Sequence, residues 1–141
     1  MYYIMFPEVA GGLGPRTILD NSIFPPIIKT LNYEFDGWLG DDLLESFPCF
    51  IVTESLKNAL IASRLKGFLF SIVFVTKSDT FNELYPDREL PSFYWMQING
   101  KLCMDDFSIT DKSELVISSQ AKELLSNFNI SHAVIRDFGS G

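Results

Sequence analysis

A chain of 141 residues, 47% of them hydrophobic and 13 of them phenylalanine, has the length of one domain and enough apolar side chain to close a core, which excludes an intrinsically disordered segment. Its 18 acidic residues outnumber 11 basic ones, and the net charge of −7 disfavours direct contact with nucleic-acid phosphates. That charge keeps a Phe-rich domain in solution, and it also draws in a basic protein partner.

The chain opens Met1-Tyr2-Tyr3-Ile4-Met5-Phe6, without the basic start and long apolar run of a signal peptide. The longest apolar stretch, residues 68–75, is too short to span a bilayer as a helix. A cytoplasmic protein with no membrane contact is the expectation. The aromatic run 2–6 reads as a strand ended by Pro7. Gly11-Gly12-Leu13-Gly14-Pro15 reads as a loop, and Pro25-Pro26 keeps the next stretch irregular. Residues 31–35 alternate apolar and polar, as in a half-exposed strand. Residues 37–42 form a turn, after which Asp41 can cap a short helix running to Ser46.

Phe50-Ile51-Val52 is a β-type run, and Thr53 is placed to cap a helix whose buried face is Leu56, Ala59, Leu60 and Ser63. Gly67 closes that helix region, and 68–75 reads as a buried strand. Residues 79–89 form a polar, Pro-bearing surface loop. Asn99-Gly100 between apolar runs predicts a hairpin of Phe93–Ile98 with 101–104, pairing Ile98 with Lys101 and Trp95 with Met104. Leu115-Val116-Ile117 then leads to Ser118 as a cap. The helical face Ala121, Leu124, Leu125, Phe128 follows, and residues 132–135 form a closing strand. Setting Val52 against Ile117 aligns Thr53 with Ser118, Leu56 with Ala121, Lys57 with Lys122 and Leu60 with Leu125. A degenerate strand-helix-strand repeat, 50–75 and 115–136, is one reading of this, and chance recurrence is the other. The expected architecture is a single α+β domain over 1–141, a mainly antiparallel sheet with at least two packed helices.

Reactive motifs are sparse. Gly11–Gly14 near Arg16 lacks both dinucleotide and P-loop spacing, so it reads as a plain loop. Cys49 and Cys103 are far apart and free of C-x-x-C spacing, and a single histidine argues against structural zinc. His132 could serve a nucleophile dyad with Cys49, Cys103 or a serine, but its apolar setting suits a structural strand residue better. Asp105 and Asp106 diverge if extended, whereas Asp42 and Glu45 share a face if helical, most simply a solvated acidic one. No catalytic, cofactor or metal residue is assigned. Trp38 beside Asp41, Asp42 and Glu45 has the make-up of an interface anchor for a basic partner, with a buried tryptophan as the competing reading. Tyr85 and Asp87 on the 79–89 loop complete the candidate partner-binding set.

The stretch 52–60 (V-T-E-S-L-K-N-A-L) and its echo 117–125 (I-S-S-Q-A-K-E-L-L) resemble the V-S-x-x-hydrophobic-K-x-x-L helix start of immunity proteins from bacterial polymorphic-toxin and contact-dependent growth inhibition systems. The aromatic opening Tyr2-Tyr3-Ile4 and a tryptophan in the first quarter, Trp38, are similar too. The likeness covers residues 50–136 and the first strand. It implies a non-enzymatic toxin inhibitor that binds a cognate toxin domain and blocks its active site. Such toxins are often basic nucleases, which an acidic protein would meet quickly. No toxin-contacting residue carries over by motif. A general adaptor or subunit, or a small enzyme using carboxylates or His132 in a deep pocket, remain open alternatives.

Overall fold

The structure, a computed structural model, describes residues 1–138; the last three residues of the predicted domain lie outside it. In chain order the elements begin β1 (Tyr2–Phe6), β2 (Gly11–Leu13), β3 (Ile18–Asp20), β4 (Ile27–Thr30), β5 (Asn32–Phe35), β6 (Leu43–Ser46), β7 (Cys49–Thr53) and α1 (Glu54–Ala62). They continue β8 (Phe68–Ser71), β9 (Phe74–Lys77), α2 (Asp79–Leu84), β10 (Phe93–Ile98), β11 (Phe107–Ile109), β12 (Leu115–Ser118), α3 (Ser119–Leu125) and β13 (Val134–Asp137). The fold is α+β, with mostly antiparallel pairing and three helices among the described residues.

Two four-stranded sheets share one plan. The first has the order β6-β7-β10-β8 and the second β11-β12-β1-β13. Each is a hairpin, a helix and a return strand, with a strand from elsewhere in the chain filling the gap. β10 lies antiparallel between β7 and β8, and β1 lies antiparallel between β12 and β13. The registers match: Phe93 faces Thr53 as Tyr2 faces Ser118, and Met96 faces Phe50 and Phe70 as Met5 faces Leu115 and Ile135.

The main core follows from that correspondence. Its twelve buried residues form six matched pairs: Met5 with Met96, Leu43 with Phe107, Phe50 with Leu115, Val52 with Ile117, Leu56 with Ala121, and Leu60 with Leu125. Full burial of a Leu or Phe side chain contributes about 1.5–3 kcal/mol, so this cluster is the chief source of cohesion. The helices enter it through matched caps. Thr53 Oγ1 accepts from Leu56 N at 3.3 Å, and Ser118 Oγ accepts from Ala121 N at 3.1 Å. At the rim of that core, Lys57 Nζ sits 3.9 Å from the Tyr94 ring and Lys122 Nζ 4.1 Å from the Tyr3 ring.

A second core lies across the first sheet. Successive strand residues point to opposite faces, so Phe50 and Val52 enter the main core while Cys49 and Ile51 enter the second. This explains why β7 is buried throughout. Tyr33, Phe35, Phe81, Phe93 and Trp95 fill the second core under a small sheet of order β2-β5-β9. The β3–β4 hairpin stands apart as a two-stranded arm.

Several expectations are corrected. Residues 11–13 are not loop but strand β2, paired with β5, and β5 is buried rather than half-exposed because the second core covers it. No helix follows Asp41: residues 43–46 are strand β6, since Leu43 and Leu44 must enter opposite cores. The 68–75 run breaks into β8 and β9, which belong to different sheets and are partly exposed. The 79–89 loop contains α2, capped by Ser78 and anchored by buried Phe81. His132 lies in a turn, and the closing strand starts at Val134.

The hairpin at Asn99-Gly100 does not form. β7 and β8 occupy both edges of β10, while the two cores cover its two apolar faces, and 101–104 turn away with Leu102 and Met104 exposed. Asn99 N and Gly100 N instead donate to Gly67 O. There segments of the chain cross so closely that a Cβ on Gly100 would stand 1.9 Å from Phe107 O.

Candidate functional site

The loop between β5 and β6 carries Trp38, and Glu8 holds that loop in place. Leu39 N donates to Glu8 Oε2 at 2.7 Å and Asp41 N to Oε1 at 3.2 Å. Trp38 Nε1 donates to Asp41 O at 2.9 Å, and its ring meets Phe93 edge-on with centroids 5.8 Å apart. The indole is thus anchored at both ends, with the Arg88 guanidinium 5.1 Å from its ring. Beside it opens a cleft of about 250 Å³ lined by Glu8, Ala10, Asp36, Trp38, Leu39 and Tyr85. Tyr85 leans on buried Phe81, with ring centroids 5.7 Å apart. Val9, Leu39, Leu84 and Tyr85 are exposed apolar or aromatic side chains. A wider groove of about 920 Å³ follows β9 and residues 89–94, but its charges, Lys77 and Glu89, oppose each other.

Behind the cleft lies a network that binds three distant segments. Asp41 is fully buried. It accepts from His132 N at 2.9 Å, and its Oδ1 pairs with His132 Nδ1 at 2.9 Å. His132 keeps 41% of its side chain exposed. One oxygen of Glu8, one of Asp41 and a ring nitrogen of His132 lie within 4.8 Å of one another, a spacing that could hold a metal ion. A buried carboxylate and the imidazole it orients are also two of the three members of a nucleophilic triad. The nucleophile is not in place: Ser131 Oγ stands 3.4 Å from Nδ1, the nitrogen Asp41 already engages, and Nε2 has no hydrogen-bond partner among the described residues. Burial pushes the Cys49 thiol up to about 12, far from thiolate chemistry at neutral pH.

The candidate residues separate into two groups. Trp38, half-buried, and Tyr85, exposed, line one cleft, and Asp87 is exposed in the turn after α2. Asp41, Asp42 and Glu45 do not form the exposed acidic face expected of them. Asp41 is enclosed by its own hydrogen bonds. Asp42 is half-buried, accepting from the Thr53 hydroxyl at 2.7 Å and from Asn129 N at 2.8 Å. Glu45 is half-buried on β6, and burial together with the nearby charge of Glu114 raises its carboxyl to about 7. Glu8 and Asp36 supply the cleft's acids instead. Sequence reading passed over Glu8, because nothing in the sequence links position 8 with 39 and 41.

The fold and site define a small α+β domain with one aromatic, acid-lined surface cleft. No protein-family model, curated protein or solved structure matches the chain. No helix among the described residues is long and apolar enough to cross a membrane.

Proposed function

We propose that this chain is a protein-binding domain of the immunity type, which neutralises a basic toxin domain by occupying its active surface. The observation that carries this reading is the Trp38–Tyr85 cleft with Glu8 and Asp36 at its edges. Two rings held by packing lose little entropy on binding, and a cleft between them accepts a long side chain. Its carboxylates favour an arginine or lysine tip. The net charge of −7 speeds encounter with a cationic partner and repels nucleic acid. The similarity of 52–60 and 117–125 to immunity-protein helix starts agrees with this reading.

The test is co-expression with the product of the gene immediately beside this chain's own. Co-purification and rescue of growth are expected, and both are to be lost when Trp38 and Tyr85 are replaced by alanine. Rescue that survives the double replacement removes the cleft from the mechanism, and absence of a complex removes the reading itself.

A second reading, a subunit or adaptor, is favoured by the β3–β4 arm. Ile18, Ile23, Phe24 and Ile27 are all exposed there, with Phe24 79% accessible. Replacing Ile23 and Phe24 by Asp separates the two: loss of a stable complex only in that variant favours the adaptor.

A further inference from the structure

We propose that Glu8, Asp41 and His132 bind a divalent transition-metal ion of the zinc class, with one oxygen from each carboxylate and a ring nitrogen of His132 as the protein ligands. The three come from segments that are remote in sequence: the stretch between β1 and β2, the entrance to β6 and the turn before β13. The fold nonetheless brings their ligand atoms within 4.8 Å of one another.

Charge is the first argument. Glu8 and Asp41 are 5% and 0% exposed, and neither has a lysine or arginine partner among the described residues. Buried charges are ordinarily paired or bound to metal. The one ion pair present, Asp41 with His132, can cancel a single negative charge at most. A divalent cation balances both carboxylates.

Preparation of the ligands is the second. Leu39 N and Asp41 N fix the Glu8 carboxylate, and His132 N fixes that of Asp41, so backbone donors orient both while lone pairs remain. Metal-ligating carboxylates are typically steered in this way. Imidazole with two carboxylates suits zinc, manganese or cobalt rather than calcium or magnesium, which favour all-oxygen sets. Tetrahedral ligands at about 2.1 Å from the metal stand roughly 3.4 Å apart, so the trio must draw in by up to about 1.4 Å at its widest. The half-exposed ring of His132 provides both the entry path and the freedom to close. Water would complete the coordination. Because Glu8 also holds the Trp38 loop, the ion would stiffen the neighbouring cleft, although the site does not depend on any partner.

The experiment uses the full chain carrying Cys103→Ser, which removes the exposed thiol as a competing ligand. After treatment with chelator, zinc chloride alone is titrated. One ion per chain and a melting temperature higher by about 5 °C or more in excess zinc are expected. Cobalt should give visible bands of low-coordinate nitrogen and oxygen ligation. The chain has one histidine, so its imidazole proton resonances are unambiguous and must shift on zinc addition. H132A and E8Q are each expected to weaken binding at least tenfold. Unshifted imidazole resonances in the unmutated His132 protein overturn the proposal even if both variants fail to fold. Equal zinc affinity in a folded H132A overturns it as well.

Discussion

Thr53 donates its hydroxyl to Asp42 Oδ1 at 2.7 Å, and Ser118 donates to Asp106 Oδ1 at the same distance. In each pair the backbone N–H of the hydroxyl residue also reaches the aspartate's carbonyl. The second carboxylate oxygen looks across the molecule. Asp42 Oδ2 accepts from Asn129 N, beyond α3, while Asp106 Oδ2 accepts from Lys66 N, beyond α1. Each aspartate therefore joins the start of one helix to the loop after the other.

Removing such a carboxylate strands two donors at once. Asp42→Ala and Asp106→Ala should each cost about 2–3 kcal/mol, more than the roughly 1 kcal/mol of a lost cap in Thr53→Ala. Urea denaturation measures this. An aspartate variant within 0.5 kcal/mol of the parent, a limit set by ordinary surface substitutions at about that size, would sink the account.

Glu45 gives a pH dependence. Its carboxyl is raised from the ordinary 4.5 to about 7, by burial first and by Glu114 second. Between those values the folded chain holds a proton that the unfolded chain has released. Stability therefore falls as pH rises from about 4.5 through 7, and the penalty is full above 7. Discounted for solvent screening, the penalty is roughly 1–2 kcal/mol. Glu45→Gln should stabilise the protein by that amount at pH 8, with little effect at pH 4. Melting curves of the two proteins that run parallel across this range would refute the assignment.

The crossing of Gly67 and Gly100 is a steric claim with a built-in control. A Cβ on Gly100 would stand 1.9 Å from Phe107 O, whereas one on Gly12 would meet nothing within 4 Å. Gly100→Ala should cost more than about 3 kcal/mol or prevent folding, while Gly12→Ala should stay within about 1 kcal/mol of the parent. Chemical denaturation of both decides it; similar midpoints would count against the crossing.

That crossing also shows where sequence reading ends. Local signals were legible: Thr53 and Ser118 cap their helices as spacing indicated, and Leu56, Leu60, Ala121 and Leu125 face the core. The alignment of 52–60 with 117–125 joins residues that share a register in the two sheets. Asn-Gly signals a hairpin only when the next segment is free to pair, and here β7 and β8, from 22 or more residues earlier, had taken both edges. Asp41 looked like surface because acids are usually solvated; its burial depends on His132, 91 residues away. Trp38 and Tyr85 were readable as aromatic loop residues, but the Glu8 that positions one of them was not.

The cleft makes the last prediction. Trp38 touches Phe93 and donates to Asp41 O, so its replacement removes packing as well as the proposed partner contact. Tyr85 is exposed and separates the two effects. If the cleft is the contact surface of the proposed function, Tyr85→Ala should weaken binding of the basic partner by tenfold or more, about 1.4 kcal/mol, with the melting temperature nearly unchanged. Trp38→Phe keeps the ring but loses the indole donor, and should fall between Tyr85→Ala and the parent in affinity. Asp87 lies in an exposed turn, so Asp87→Asn should slow association two- to threefold or less and lower its salt dependence, leaving dissociation unaltered. Surface plasmon resonance at two ionic strengths measures all three. If Tyr85→Ala binds as the parent does while the β3–β4 arm variants do not, the contact surface is the arm and the cleft is only a packing feature of the second core.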